Sequence, residues 1–238
     1  MSNRPTPGRF VTFEGLDGCG KTTQLEKLAA VLRAEGIDVL STREPGGTEI
    51  GERIRSVLLD SRTAGLDPWT ELALMFASRA QQLAQVIQPA LSEGRWVLCD
   101  RFTDSSEAYQ GGGRQLGSEP VLELHRIICQ DFWPDLTILM DSEVDHSVKR
   151  ARRRNMAVLN SSVPDENRFE KESYSFFTRV RDAYVAIAKR EPQRVAIVDA
   201  RHPPEVVHPE IVGLVRERLL HHDRPIRMPT QARSAPQA

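Results

Sequence analysis

The sequence predicts an α/β protein: five parallel strands in one sheet, with helices on both sides, in three layers. Three observations carry that prediction. Short apolar runs, several ending in an acid, have the composition of parallel strands buried on both faces. Helical patterns separate them, as in repeated βαβ units. A glycine-rich turn joins the first strand to the first helix.

Arg9–Glu14 reads as the first strand. After the turn, Leu25, Leu28, Ala29 and Leu32 fall at i, i+3, i+4 and i+7 of one helix face, and Gly36 stops that helix. Ile37–Leu40 is a short second strand. Pro45, Gly46 and Gly47 mark Arg43–Thr48 as a loop. Helical spacing resumes through Ile50, Ile54, Val57 and Leu58. Asp67-Pro68 then reads as N-cap and first residue of a long helix reaching about Leu91, with Gly94 closing it. Trp96–Asp100, Leu136–Asp141 and Arg194–Asp199 are the remaining strands. Helices are expected at Val121–Phe132, Asp145–Arg154, Phe169–Lys189 and Pro204–Leu220. The polar stretch Asn155–Asn167, with one proline, is expected to be a mobile loop. Residues 1–8 are expected to be flexible, and residues 223–238, rich in Pro, Arg, Ser and Ala, to be disordered.

A chain of 238 residues suits one large α/β domain without requiring two. Lys and Arg number 32 against 33 Asp and Glu, so nothing in the net charge of −1 demands a nucleic-acid partner. No apolar run approaches a membrane span, and Met1–Arg9 has no signal-peptide stretch, so a cytoplasmic location is expected. Cys19, Cys99 and Cys129 are odd in number and widely spaced, which fits neither a disulfide framework nor a metal site.

The strongest chemical signal is Gly15-Leu16-Asp17-Gly18-Cys19-Gly20-Lys21-Thr22, which fits G-x4-G-K-[ST]. Such a P-loop wraps phosphates with backbone N–H groups at a helix N-terminus. Residues 15–22, with Thr23, are therefore the expected cofactor-binding segment. Lys21 supplies charge to the β- and γ-phosphates, and Thr22 supplies a hydroxyl for Mg²⁺. Asp100 ends a parallel strand where an acid helps to hold that Mg²⁺, and Arg101 follows it. That edge is where open α/β sheets bind ligands. An N-K-x-D guanine-reading motif and an L-S-G-G-Q signature are both absent, which disfavours a GTPase switch and a transport ATPase.

Three ordered segments carry a family resemblance. They are Phe13-Glu14-Gly15 leading into the P-loop, Thr42-Arg43-Glu44-Pro45-Gly46-Gly47-Thr48, and Asp100-Arg101-Phe102-Thr103-Asp104-Ser105-Ser106-Glu107-Ala108-Tyr109-Gln110-Gly111. Together they resemble thymidylate kinase over roughly Arg9 to Arg201. The resemblance implies a P-loop nucleoside-monophosphate kinase domain over 9–222, with a mobile lid at about 150–168. It implies transfer of the ATP γ-phosphoryl group to dTMP with Mg²⁺, giving dTDP for DNA precursors, and a homodimer.

Residue by residue, the resemblance implies that Arg55 and Arg101 hold the acceptor phosphate and that Glu44 lies near that phosphate and the metal. Asp17 is similar to the acid that reaches the acceptor 3′-hydroxyl. Arg79 resembles the arginine on the thymine carbonyl. Ser105, Ser106 and Gln110 line the acceptor pocket, and Tyr109 walls the sugar. Met75 stands where the family usually stacks a phenylalanine on the base. Phe76 beside it is about 100° around the helix and cannot simply replace it; either the Met75 thioether packs on the ring face or both residues belong to the core. The run Arg150, Arg152, Arg153 and Arg154 resembles the lid of members that carry their catalytic arginine there. Arg150 and Arg154 share a helix face. Asp17-Gly18 lacks the arginine that another subtype places in the P-loop. Arg168 and Phe169 resemble the segment that follows the lid, with Asn167 where an Asp often stands.

Other readings stay open on sequence. The chain would fit a kinase of the same fold acting on another acceptor such as dUMP, a nucleotide-binding module without turnover, or an ATPase using the Arg150 cluster on nucleic acid. Cys19 and Cys99 read as small or buried residues. His125 reads as packed or exposed, and His221-His222 as a solvated helix end. Tyr174, Phe176, Phe177, Tyr184 and Ile187 read as a core stripe.

Overall fold

The structure, a computed structural model, describes residues 8–63, 65–158 and 168–220, without the side chains at 154–158. The expected N-terminal segment before residue 8, Asn167 and most of the polar loop, the side chain of Arg154, His221-His222 and the tail at 223–238 lie outside what is described.

Five strands form one sheet: β1 (Phe10–Glu14), β2 (Val39–Arg43), β3 (Trp96–Asp100), β4 (Leu136–Asp141) and β5 (Val195–Asp199). Their order is β2-β3-β1-β4-β5, and every neighbouring pair is parallel. The helices are α1 (Lys21–Ala34), α2 (Glu49–Leu59), α3 (Pro68–Gln82), α4 (Gln88–Ser92), α5 (Thr103–Ser106), α6 (Ser118–Leu124), α7 (Val144–Val158), α8 (Tyr174–Arg190) and α9 (Pro204–Val215).

Period-two alternation divides the core. Val11 and Phe13 of β1, with Trp96 and Leu98 of β3, pack under α1 and α9. Phe10, Val97 and Cys99 face the other way, toward α3. Leu139 and Val195 meet α8 on that second side. Central β1 is buried throughout. Phe13 pairs in register with Asp100, so the loops that leave β1 and β3 emerge side by side. The chain turns toward β2 on one side of β1 and toward β4 on the other, which makes this edge a topological switch point.

Several elements differ from the sequence expectation. The helix expected at Phe169–Lys189 begins at Tyr174, because Ser173 is extended and its side chain caps the first turn, leaving Phe169–Lys171 as a separate 3₁₀ turn. The second strand lies at Val39–Arg43, not Ile37–Leu40. Ile37 N–H instead closes the end of α1 on Leu32 O, and pairing with β3 carries polar Ser41, Thr42 and Arg43 into the sheet. The long helix starts as expected, with the Asp67 carboxylate accepting from Trp69 and Thr70 N–H and Pro68 at the first position. It widens into a π turn at Leu83–Ile87 just before Pro89, a residue with no N–H to donate. A helix was not expected at Thr103–Ser106, running on as a π turn through Glu107–Gly113. Gly112 lies so close to α8 that a Cβ there would meet Ala183 Cβ at 2.7 Å. In the expected α8 stripe, Phe176, Phe177, Tyr184 and Ile187 are buried, but Tyr174 is 62% exposed. It sits in the first turn, on the outer side of the helix.

Candidate active site

One cleft of about 1000 Å³ opens at the carboxyl edge of β1 and β3. The P-loop forms one wall. Gly15, Gly18 and Gly20 all take positive φ, and Gly20 leads directly into α1. Lys21 is buried, and its Nζ donates to Leu16 O at 2.8 Å. Thr22 Oγ1 donates to Asp100 Oδ2 at 2.5 Å, which bridges the P-loop to the end of β3. Burial pushes the Cys19 thiol up despite the Lys21 charge nearby, so its place at a helix N-terminus does not activate it.

Arg101 stands at the centre. Its backbone has φ 76°, unusual for a residue with a side chain. One guanidinium nitrogen donates to Gly15 O at 3.0 Å, Ser105 Oγ at 2.9 Å and Tyr184 Oη at 3.1 Å. The other donates to Asp17 Oδ1 at 2.7 Å and Tyr109 Oη at 3.2 Å. Burial alone would raise the Asp17 carboxyl. The Arg101 and Lys21 charges and hydrogen bonds from Arg101 and Tyr109 outweigh it and hold the group well below the usual range.

Glu14 lies beneath, fully buried. Its carboxyl accepts from Phe102 N at 2.7 Å, Ser105 Oγ at 2.5 Å and Tyr184 Oη at 3.0 Å. It therefore braces both the strained Arg101 turn and the two hydroxyls that aim the guanidinium. Burial, with the Asp104 charge, raises Glu14 to about 7.

The far wall comes from β2, α3 and the helix after Arg101. Arg79 is buried. Its Nε donates to Glu44 Oε2 at 2.7 Å and its Nη2 to Ser106 Oγ at 3.0 Å. The guanidinium rests on the rings of Phe76, 4.5 Å away, and Phe102, 5.1 Å away. Arg79 Nη1, Glu44 Oε1 and Gln110 Oε1 are buried with no protein partner, and all three residues line the cleft. Uncompensated polar atoms in such a place fit a polar ligand. Half-buried Met75 also lines the cleft, whereas Phe76 is a core residue under Arg79. Arg55 lines it too, donating to Pro45 O at 3.0 Å.

Helix α7 brings Arg150 to the cleft. Its first turns press on the P-loop: a Cβ on Gly18 would lie 2.4 Å from Ser147 O and 2.9 Å from Ala151 N. An arginine has no room at position 18. Exposed Arg152 turns away, donating to Glu170 O and Glu172 O.

Comparison with known proteins identifies this arrangement. The family model for thymidylate kinase matches residues 13–211. The chain belongs to the thymidylate kinase family. It is 49% identical over 210 residues to the thymidylate kinase of Trichlorobacter lovleyi, covering 88% of this chain and 98% of that one. It is 47% identical over 211 residues to that of Thiobacillus denitrificans, covering 89% and 98%. The crystal structure of thymidylate kinase from Ehrlichia chaffeensis matches with a TM-score of 0.69 at 33% identity, over 88% of this chain and 99% of that one. The five-stranded parallel sheet and the resemblance read from the motifs are thereby confirmed.

For a member of this family, the structure gathers Leu16, Asp17, Lys21, Thr22, Thr23, Glu44, Arg55, Met75, Arg79, Asp100, Arg101, Ser105, Ser106, Tyr109, Gln110 and Arg150 around the expected cleft. Two refinements follow for the expected metal set. Thr22 and Asp100 sit together, and a hydroxyl plus a carboxylate suits Mg²⁺, which takes few protein oxygens beside phosphates and water. Glu44 stands apart from that pair, bound to Arg79. Among the described residues no three His, Cys, Asp or Glu side chains cluster as a metal cage. Sequence reasoning passed over Glu14, Glu71, Arg114 and Tyr184. Glu71 had a readable signal, since it precedes Met75 and Arg79 by four and eight residues on one helix face.

Proposed function

We propose that this cleft carries out the family reaction, transfer of the γ-phosphoryl group of ATP to dTMP. An acceptor phosphate oxygen attacks the γ-phosphorus, the bond to the β–γ bridging oxygen breaks, and ADP and dTDP leave. ATP is the donor, and Mg²⁺, when bound, neutralises charge on the donor phosphates. Thr22 and Asp100 are its expected holders.

One observation supports this reading above the others: Arg101 touches the P-loop through Gly15 and Asp17 and the acceptor wall through Ser105 and Tyr109. A group so placed can hold two anions in line, and phosphoryl transfer needs little more than positioning and charge neutralisation. Lys21 and the P-loop amides take the donor phosphates. Arg55 and Arg101 take the acceptor phosphate. Asp17 keeps lone pairs for a sugar hydroxyl beside its bonds to Arg101 and Tyr109. Arg79, Ser106, Gln110 and Met75 take the base. Arg150 and Arg154, on α7 leading into the lid at 150–168, supply charge as it closes. The whole unit is one kinase domain over 9–222.

The reading extends to assembly. Ile50, Val57 and Trp69 are large exposed apolar side chains on neighbouring α2 and α3, a face suited to a second copy of the chain. Among the described residues no helix is long and apolar enough to cross a membrane, which is compatible with a cytoplasmic enzyme. Sedimentation of the unaltered chain and of Trp69→Glu tests the dimer. A monomer in both removes it.

The deciding experiment is ADP release with ATP, Mg²⁺ and each of dTMP, dUMP, UMP, dCMP, AMP and GMP. Turnover chiefly with dTMP is expected. Preference for dUMP would trace to Met75, whose thioether gives the base a less demanding wall than an aromatic ring. No acceptor-dependent turnover would refute the reading.

A further inference from the structure

Glu71 is fully buried on α3 and does not line the cleft. Three side chains converge on it. Gln110 Nε2 donates to Oε1 at 2.8 Å. Arg114 donates from Nε to both oxygens at 3.2 Å and from Nη2 to Oε2 at 3.0 Å. Arg168 Nη1 donates to Oε2 at 2.6 Å. A carboxylate between two guanidinium groups only accepts hydrogen bonds. The Gln110 amide can therefore face Glu71 in one orientation alone, with its NH₂ toward the acid. Its carbonyl Oε1 then faces away, and that atom is buried with no protein partner in a residue that lines the cleft. Arg79 Nη1, a donor, and Glu44 Oε1, an acceptor held to Arg79 through its other oxygen, are the remaining unpartnered buried polar atoms of the cleft wall among the described residues.

We propose that Glu71 is a positioning residue that sets base selectivity by fixing the Gln110 amide. This rests on the function proposed above and deepens it. The pocket offers a fixed acceptor, Gln110 Oε1, and a fixed donor, Arg79 Nη1. An imide edge, carbonyl beside N–H, satisfies both. The amino-pyrimidine edge of cytosine carries the reverse pattern and leaves both mismatched. An amide free to flip would offer its NH₂ to the cytosine ring nitrogen, so discrimination depends on the lock. The reading also gives Arg168 a role: from the segment after the lid, it holds the acid that holds the amide.

The test compares kcat and KM for dTMP and dCMP in the unaltered chain, Glu71→Gln, Gln110→Leu and the double variant. Glu71→Gln lets residue 71 donate to a flipped amide. The ratio of kcat/KM for dTMP over dCMP is expected to fall by about 10- to 100-fold, the scale of one buried mismatched polar group. The change is expected in the two KM values, with kcat for saturating dTMP little altered. Gln110→Leu is expected to lower the ratio similarly, and Glu71→Gln to add nothing in that background. A purely structural Glu71 would add its effect there as well. Gln110→Leu leaves the ion pairs of Glu71 intact, so an unchanged ratio there overturns the proposal even if Glu71→Gln fails to fold. An unchanged ratio in Gln110→Leu, or additive effects in the double variant, would overturn the proposal. Absence of dTMP turnover in the unaltered chain would instead overturn the function on which it rests.

Discussion

Substituting Gly18 by alanine tests whether the P-loop and α7 act as one unit. Gly18 has φ +83°, and a side chain in that region costs about 1–2 kcal/mol. The larger effect is contact. The new Cβ would stand 2.4 Å from Ser147 O and 3.3 Å from Arg150 Cβ. Restoring ordinary separation needs α7 to retreat by about 1 Å. That helix carries Arg150 into the cleft. Displacement of about 1 Å in a positioning group can cost about 10²-fold in rate, or roughly 2.7 kcal/mol of barrier. The assay is ADP release at saturating ATP and dTMP, with a thermal melt beside it. The expected result is a kcat lower by about 100-fold and a melting temperature lower by about 2–8 °C. KM for dTMP should change little, because Arg79 and Gln110 are untouched. Gly18→Arg should be worse still, although it restores the P-loop arginine of the other subtype. A Gly18→Ala enzyme within about threefold of the original kcat would refute the reasoning, because Arg150 would then need no fixed distance from the P-loop.

Three further outcomes follow from the site. Burial and Asp104 raise Glu14 from 4.5 to about 7, so the folded chain holds a proton there that the unfolded chain releases. Its contribution therefore weakens as pH rises from about 4.5 to 7 and is level above. Melting temperatures of Glu14→Gln and the unaltered chain, compared across that range, should diverge with rising pH in favour of the variant; a constant difference would contradict this. Arg79→Met strands buried Glu44 without its partner. About 3–5 kcal/mol of stability should be lost, read from the urea midpoint, together with a large rise in KM for dTMP. Asp100→Asn removes the anion that accepts from Thr22 and is proposed to help hold Mg²⁺. The Mg²⁺ needed for half-maximal rate should rise by at least about tenfold, and an unchanged titration would exclude Asp100 as a metal holder.

How much of this could be read beforehand depended on the range of the interactions. The P-loop was legible because its glycines, Lys21 and Thr22 are contiguous and their chemistry is local. Asp100 and Arg101 were legible because a strand end points at the ligand edge in any open α/β sheet. The end of β2 was not, because Ser41, Thr42 and Arg43 are strand residues only through pairing with β3. The helix at Thr103–Ser106 and its π extension were hidden for a similar reason: Gly112 serves the approach of α8, sixty-odd residues later. Glu14 and Glu71 were given no role, one ending a strand and the other sitting in a helix. Their importance comes from Tyr184, Arg114 and Arg168, partners that adjacent sequence does not reveal.

The sharing of Arg101 between the two loops has an evolutionary consequence. A single guanidinium bonds the P-loop backbone, the Ser105 and Tyr109 wall and the Asp17 carboxylate between them, so a change suited to one disturbs the rest. The phosphate end of the cleft is in this sense mutationally stiff. The end of the cleft proposed to take the base is built differently, from Met75, Arg79 and Gln110, whose supports lie in α3 and behind the wall. Variation in acceptor choice can accumulate there without touching the chemistry of transfer. Met75 is one such departure, and redesign toward another pyrimidine should begin at that end.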